Sequence, residues 1–129
     1  MPPPAADDTW ARSFLQPAEV DQWVVMSAAD RRHAVEVARR FVLRRPDASR
    51  AEVAGALLHD VGKVVSGLGT FSRVVATVVG PRTKRFRLYH DHERLGAELL
   101  EREGSDPVTV ALVRGEGPAL ADLLLADDI

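Results

Sequence analysis

An all-α fold is what this sequence predicts, and three observations carry that expectation. Aromatic residues make up only 5% of the 129-residue chain, whereas the helix-favouring Ala, Leu, Glu and Arg are abundant. Apolar residues recur at helical spacing, and strict strand-like alternation is scarce. Gly and Pro fall between the periodic stretches, where helices must stop. About six or seven helices with short joins account for the whole pattern.

The elements follow in order. Residues 1–8, with Pro2-Pro3-Pro4, are expected to form an extended mobile tail. Residues 9–129 are expected to form one helical domain. A short helix is expected from Thr9 to Leu15, and Pro17 suits the first position of the next. Ser27 is a good N-cap, and Asp30 lies in the first turn that follows. Ala34, Val37, Ala38, Phe41 and Val42 then make an apolar stripe that ends before Pro46, with His33 at its edge.

Ser49 and Glu52 have capping-box spacing, opening a helix whose inner face includes Val53, Ala54, Leu57, Leu58 and Val61. Gly62 is expected to supply its left-handed stop. Thr70 can cap a helix running to Val79, closed by Gly80-Pro81. A helix from about His90 to Glu103 should end at Gly104. Asp106-Pro107 opens another that Gly115 breaks, and Pro118 restarts a last segment, Ala119 to Asp127.

Composition narrows the chemistry. There is no cysteine, which removes disulfides and thiolate metal sites. No apolar run reaches the roughly 18 residues of a membrane span, and the start lacks the basic flank of a signal peptide, so the cytoplasm is the expected location and no membrane partner is expected. A net charge of −2 offers no global attraction to nucleic acid, and Arg82, Lys84, Arg85 and Arg87 form the one local basic stretch.

The segment Leu57-Leu58-His59-Asp60-Val61-Gly62-Lys63 carries the chemistry. An aspartate closing so apolar a helix should be partly buried, and a buried carboxylate requires a cation, a metal or several hydrogen bonds. The free carbonyls of a helix C-terminus favour a cation at the same place. A plain helix-end pair, with His59 facing the dipole and Asp60 held by an arginine, is the bland alternative.

His33, then His59-Asp60, then a late aspartate resembles the H…HD…D pattern of the HD superfamily of metal-dependent phosphohydrolases. His59-Asp60-Val61-Gly62-Lys63 is similar to the HD-x-G-K form found, among others, in the HD-GYP branch. His92-Glu93-Arg94-Leu95-Gly96-Ala97-Glu98-Leu99-Leu100 resembles the family's H-x-x-x-G-A-E-L-L helix.

The resemblance implies a helical bundle with a metal between helices. His33, His59, Asp60 and either Asp127 or Asp128 would be ligands, with Asp127 the better match. Two imidazoles and two carboxylates suit one divalent ion such as Mn, Fe, Co or Ni; Zn and Mg are less well matched.

The implied reaction is hydrolysis of a small phosphate ester, such as a nucleotide. Lys63 would contact phosphate, and Glu93, Asp91 or Glu116 would move a proton. His90, His92, Arg82 and Arg85 would be additional metal or substrate contacts. The pattern also departs from the family. Two-metal members carry a His-His pair where this chain reads Val113-Arg114-Gly115-Glu116-Gly117. The departure implies one metal at most. It also opens a second reading, a degenerate HD module that binds a ligand or protein partner without turnover.

Overall fold

The computed structural model describes residues 1–62 and 93–128. Helix α1 is Ala5–Arg12, α2 Pro17–Val25, α3 Ala28–Arg44 and α4 Arg50–Leu58. Helix α5 covers residues 93–102, α6 is Pro107–Arg114 and α7 Leu120–Asp127. The fold is all-α, and no strand occurs among the described residues. None of their helices is long and apolar enough to cross a membrane.

Most helix ends follow local chemistry. Ser27 Oγ accepts the Asp30 amide at 3.0 Å. Ser49 and Glu52 close their capping box reciprocally, at 3.1 and 3.0 Å. Asp106 accepts the Val108 amide ahead of Pro107. Gly104 and Gly115 end α5 and α6 at φ of 83° and 89°, in the left-handed region that residues with a Cβ avoid.

Several boundaries differ from expectation: the first helix ends at Arg12 and not Leu15, and α4 ends at Leu58, short of Val61. Helix α1 begins at Ala5, so residues 5–8 belong to the fold and not to a tail. Asp7 and Asp8 suit the positive end of that helix. They also dock it: Asp8 accepts from Trp23 Nε1 at 2.9 Å, and Asp7 accepts from Arg39 at 3.1 Å, while Arg12 Nε donates to Asp8 at 2.7 Å within the helix. Gly62 is helical and supplies no left-handed stop. Its backbone instead meets α5, where a Cβ on Gly96 would lie 3.0 Å from the Gly62 nitrogen.

Helix α4 is the centre of the core. All its residues from Ala51 to Leu58 are buried, more than the one-sided stripe expected. A helix apolar around its circumference must be enclosed. It packs against α3 and α6, and α3 in turn packs against α7 and α1. Phe41, Leu57, Leu58, Val61, Leu100 and Trp23 fill the interior. This arrangement brings the end of α4 beside the first turns of α3 and the end of α7.

Candidate metal centre

His33 projects from the second turn of α3, and His59 caps α4. Asp60 follows in the turn, and Asp127 is the last residue of α7. Their side chains converge. His33 Nε2 lies 2.9 Å from Asp127 Oδ1. His59 Nε2 lies 3.4 Å from Asp60 Oδ2 and 3.6 Å from Asp127 Oδ1. The imidazole ring centres are 6.2 Å apart. One ligand atom from each of His33, His59 and Asp60 falls within 4.8 Å of the others, a grouping that can hold a cation. Of the two late aspartates, Asp127 faces the imidazoles while Asp128 is exposed.

His59 is the deepest member, with its side chain 11% exposed. Its Nδ1–H donates to the Ala56 carbonyl at 2.6 Å, which leaves the Nε2 lone pair turned toward the carboxylates. Nε2 is buried with no hydrogen-bond partner among the described residues, and Asp127 at 3.6 Å is too distant to provide one. A buried lone pair facing two carboxylates is unfavourable until a proton or a metal ion lies between them. The donor set of His33, His59 and Asp60, two imidazole nitrogens and a carboxylate oxygen, fits a divalent ion, and Asp127 places a second carboxylate beside both imidazoles.

The electrostatics agree with that reading of the geometry. Burial pushes the His59 imidazole down, but the carboxylates of Asp127 and Asp60 and the Ala56 carbonyl outweigh it, and its pKa is raised above the ordinary 6.5. The His59 imidazole, opposed by burial and aided by His33, holds the Asp127 carboxyl down at about 2.

Other residues singled out by the sequence do not join this group. Glu93, at the start of the described part of α5, places its carboxylate against Gly115, where a Cβ would sit 2.9 Å from Oε2. Glu116 is exposed. Gly115 has a left-handed backbone, so a histidine there would be strained, whereas the nearby Glu93 carboxylate is the end of a flexible side chain that can move aside. Lys63, Arg82, Lys84, Arg85, Arg87, His90, Asp91 and His92 lie outside the described residues, as does the expected helix from Thr70 to Val79.

One neighbour escaped the sequence reading. Arg40 Nε donates to the Ala126 carbonyl at 2.7 Å, next to Asp127. Its only sequence signal is a spacing of seven from His33, two helical turns along the same face.

The HD domain family matches residues 26–118, most of the chain. The protein belongs to the HD domain family. Within this HD domain, the matched span includes His33, His59 and Asp60 and stops short of Asp127. A stretch of 67 residues is 43% identical to the A-adding tRNA nucleotidyltransferase of Deinococcus radiodurans. That stretch covers 52% of this chain and 13% of that protein. No solved structure matches the chain significantly.

Proposed function

We propose that this HD domain is a phosphohydrolase that uses a single divalent ion held by His33, His59, Asp60 and Asp127. The observation that carries the proposal is the buried Nε2 of His59, left without a hydrogen-bond partner among the described residues and facing the carboxylates of Asp60 and Asp127. A divalent ion supplies Lewis acidity toward a phosphoryl oxygen and a more acidic water. Mn, Fe, Co or Ni suits this mixture of donors best.

The chain's own groups have separate tasks. The Ala56 carbonyl selects the His59 tautomer that presents Nε2. Asp60 and Asp127 supply negative charge to offset a dication. Lys63, four residues beyond His59, is proposed as the phosphate contact, and Glu93 as the group that accepts or returns a proton. Arg82, Arg85, His90 and His92 are proposed as further substrate or metal contacts. A small phosphate ester, a nucleotide among them, is the proposed substrate and the cytoplasm the proposed setting. The partial likeness to a tRNA nucleotidyltransferase supports the nucleotide chemistry.

A second reading has a specific observation in its favour. Gly115, in the left-handed region, and the exposed Glu116 replace the histidine pair of two-metal relatives. This favours a module that holds a ligand or partner without turnover. Metal analysis of protein purified without chelator, repeated on His59→Ala, followed by a phosphate-ester panel, separates the readings. Stoichiometric first-row metal that disappears in His59→Ala, together with metal-dependent release of phosphate, supports hydrolysis. Metal without turnover supports the second reading. A metal-free parent protein that cannot be loaded removes the site.

A further inference from the structure

We infer that Arg40 is a positioning residue for the metal centre, acting through the peptide bond that carries Asp127; the inference rests on the metal site proposed above. Asp127 is the one member of the group that comes from the end of a helix only eight residues long. Helices of that length do not hold themselves in water and depend on tertiary contacts. Helix α3 and its C-cap residue Arg45 hold α7 at both ends. At the start, Asp122 lies 3.6 Å from Arg44 Nε and 3.4 Å from Arg45 Nη1. At the finish, Arg40 Nε donates to the Ala126 carbonyl at 2.7 Å.

The second contact bears directly on the site. The carbonyl that Arg40 grips belongs to the same rigid amide plane as the Asp127 nitrogen. Fixing that plane fixes the origin of the Asp127 side chain, whose Oδ1 lies 2.9 Å from His33 Nε2. Arg40 and His33 lie on one face of α3, two turns apart, so a single helix sets both a proposed ligand and the support of another. The guanidinium reaches a backbone carbonyl and not a carboxylate oxygen, so it steadies Asp127 without occupying the oxygen that faces His33 and His59. It also complements the negative end of α7. Ala126 is buried, so the accepting side of this part-buried bond is withdrawn from water.

The test is Co²⁺ titration of the full chain, followed by the visible absorption of the bound ion, on the parent, Arg40→Met, Arg40→Lys and Arg44→Met. Arg40→Met keeps the aliphatic stem and removes the donor. Loss of a supporting group of this kind should weaken Co²⁺ binding by about 10- to 100-fold and alter the spectrum. Arg40→Lys, whose ammonium can still reach the carbonyl, should recover part of the affinity. Arg44→Met loosens the far end of α7 and should leave affinity and spectrum near the parent's, even if its melting temperature falls. Should Arg40→Met fail to fold, Arg40→Lys against Arg44→Met decides, with weaker binding expected in Arg40→Lys alone.

Parental affinity in a folded Arg40→Met overturns the positioning role and leaves the metal site standing. A parent protein that binds no Co²⁺ overturns both.

Discussion

Gly55→Ala is the sharpest test of how α4 is seated. On an isolated helix this change would stabilise, since Ala exceeds Gly by about 1 kcal/mol in a helix interior. Here the new Cβ would lie 2.9 Å from Leu112 Cδ2, 3.0 Å from its Cβ and 3.3 Å from its Cγ. Comfortable carbon–carbon contact needs about 3.5–4.0 Å. A rotamer change can move Cδ2, but Leu112 Cβ is tied to the backbone of α6. Leu112 is itself buried, so it has little space to retreat. Helices α4 and α6 must therefore give by a few tenths of an ångström, and overpacking of this kind costs about 1–3 kcal/mol.

Set against the gain in helix propensity, the net effect is a loss of about 1 kcal/mol or somewhat more, or a fall in Tm on the order of 5 °C. Thermal unfolding followed by far-ultraviolet circular dichroism measures it. Adding Leu112→Ala should cost less in the Gly55→Ala background than alone, because the crowded atoms are gone. A Tm at or above the parent's, with additive double-mutant behaviour, would refute the close α4–α6 contact.

Further outcomes follow from the same structure. The raised pKa of His59 means that the metal-free protein holds the associated stability fully below about pH 6.5 and loses it as pH rises through the raised value. Asp127, lowered from 3.8 to about 2, acts oppositely: its contribution is present above 3.8 and is lost as pH falls toward 2. Metal-free Tm should thus peak on the acidic side of neutrality, while the Tm increase caused by Co²⁺ should grow with pH, since the ion needs neutral imidazoles. A metal-free Tm that does not change between pH 6 and 8.5 would contradict the sign for His59. Thr109 Oγ donates to the Ala51 carbonyl at 2.7 Å in a fully buried setting. Thr109→Val, of similar shape, should lower stability by about 1 kcal/mol in a denaturant titration.

Much of this protein is legible in its sequence. The capping box at Ser49 and Glu52, the caps at Ser27 and Asp106 and the stops at Gly104 and Gly115 all depend on groups within a few residues of one another. Local hydrogen bonds and allowed backbone angles decide such features, so reading along the chain recovers them. The all-α class follows, while the resemblance to the H…HD…D pattern is what points to His33 and His59-Asp60.

The rest depends on contacts that sequence spacing does not encode. His33 and Asp127 are 94 positions apart, and their meeting at 2.9 Å, with Asp128 left outside, is set by how α7 lies on α3. The start of α1 at Ala5 depends on Trp23 and Arg39 being present to receive Asp8 and Asp7. Gly62, which reads as a helix stop, serves instead as a close backbone contact for α5. Arg40 looks like one more surface arginine until α7 places a buried carbonyl in front of it. Local chemistry determines where helices begin and end; long-range packing determines which side chains face one another, and that decides what this chain can bind.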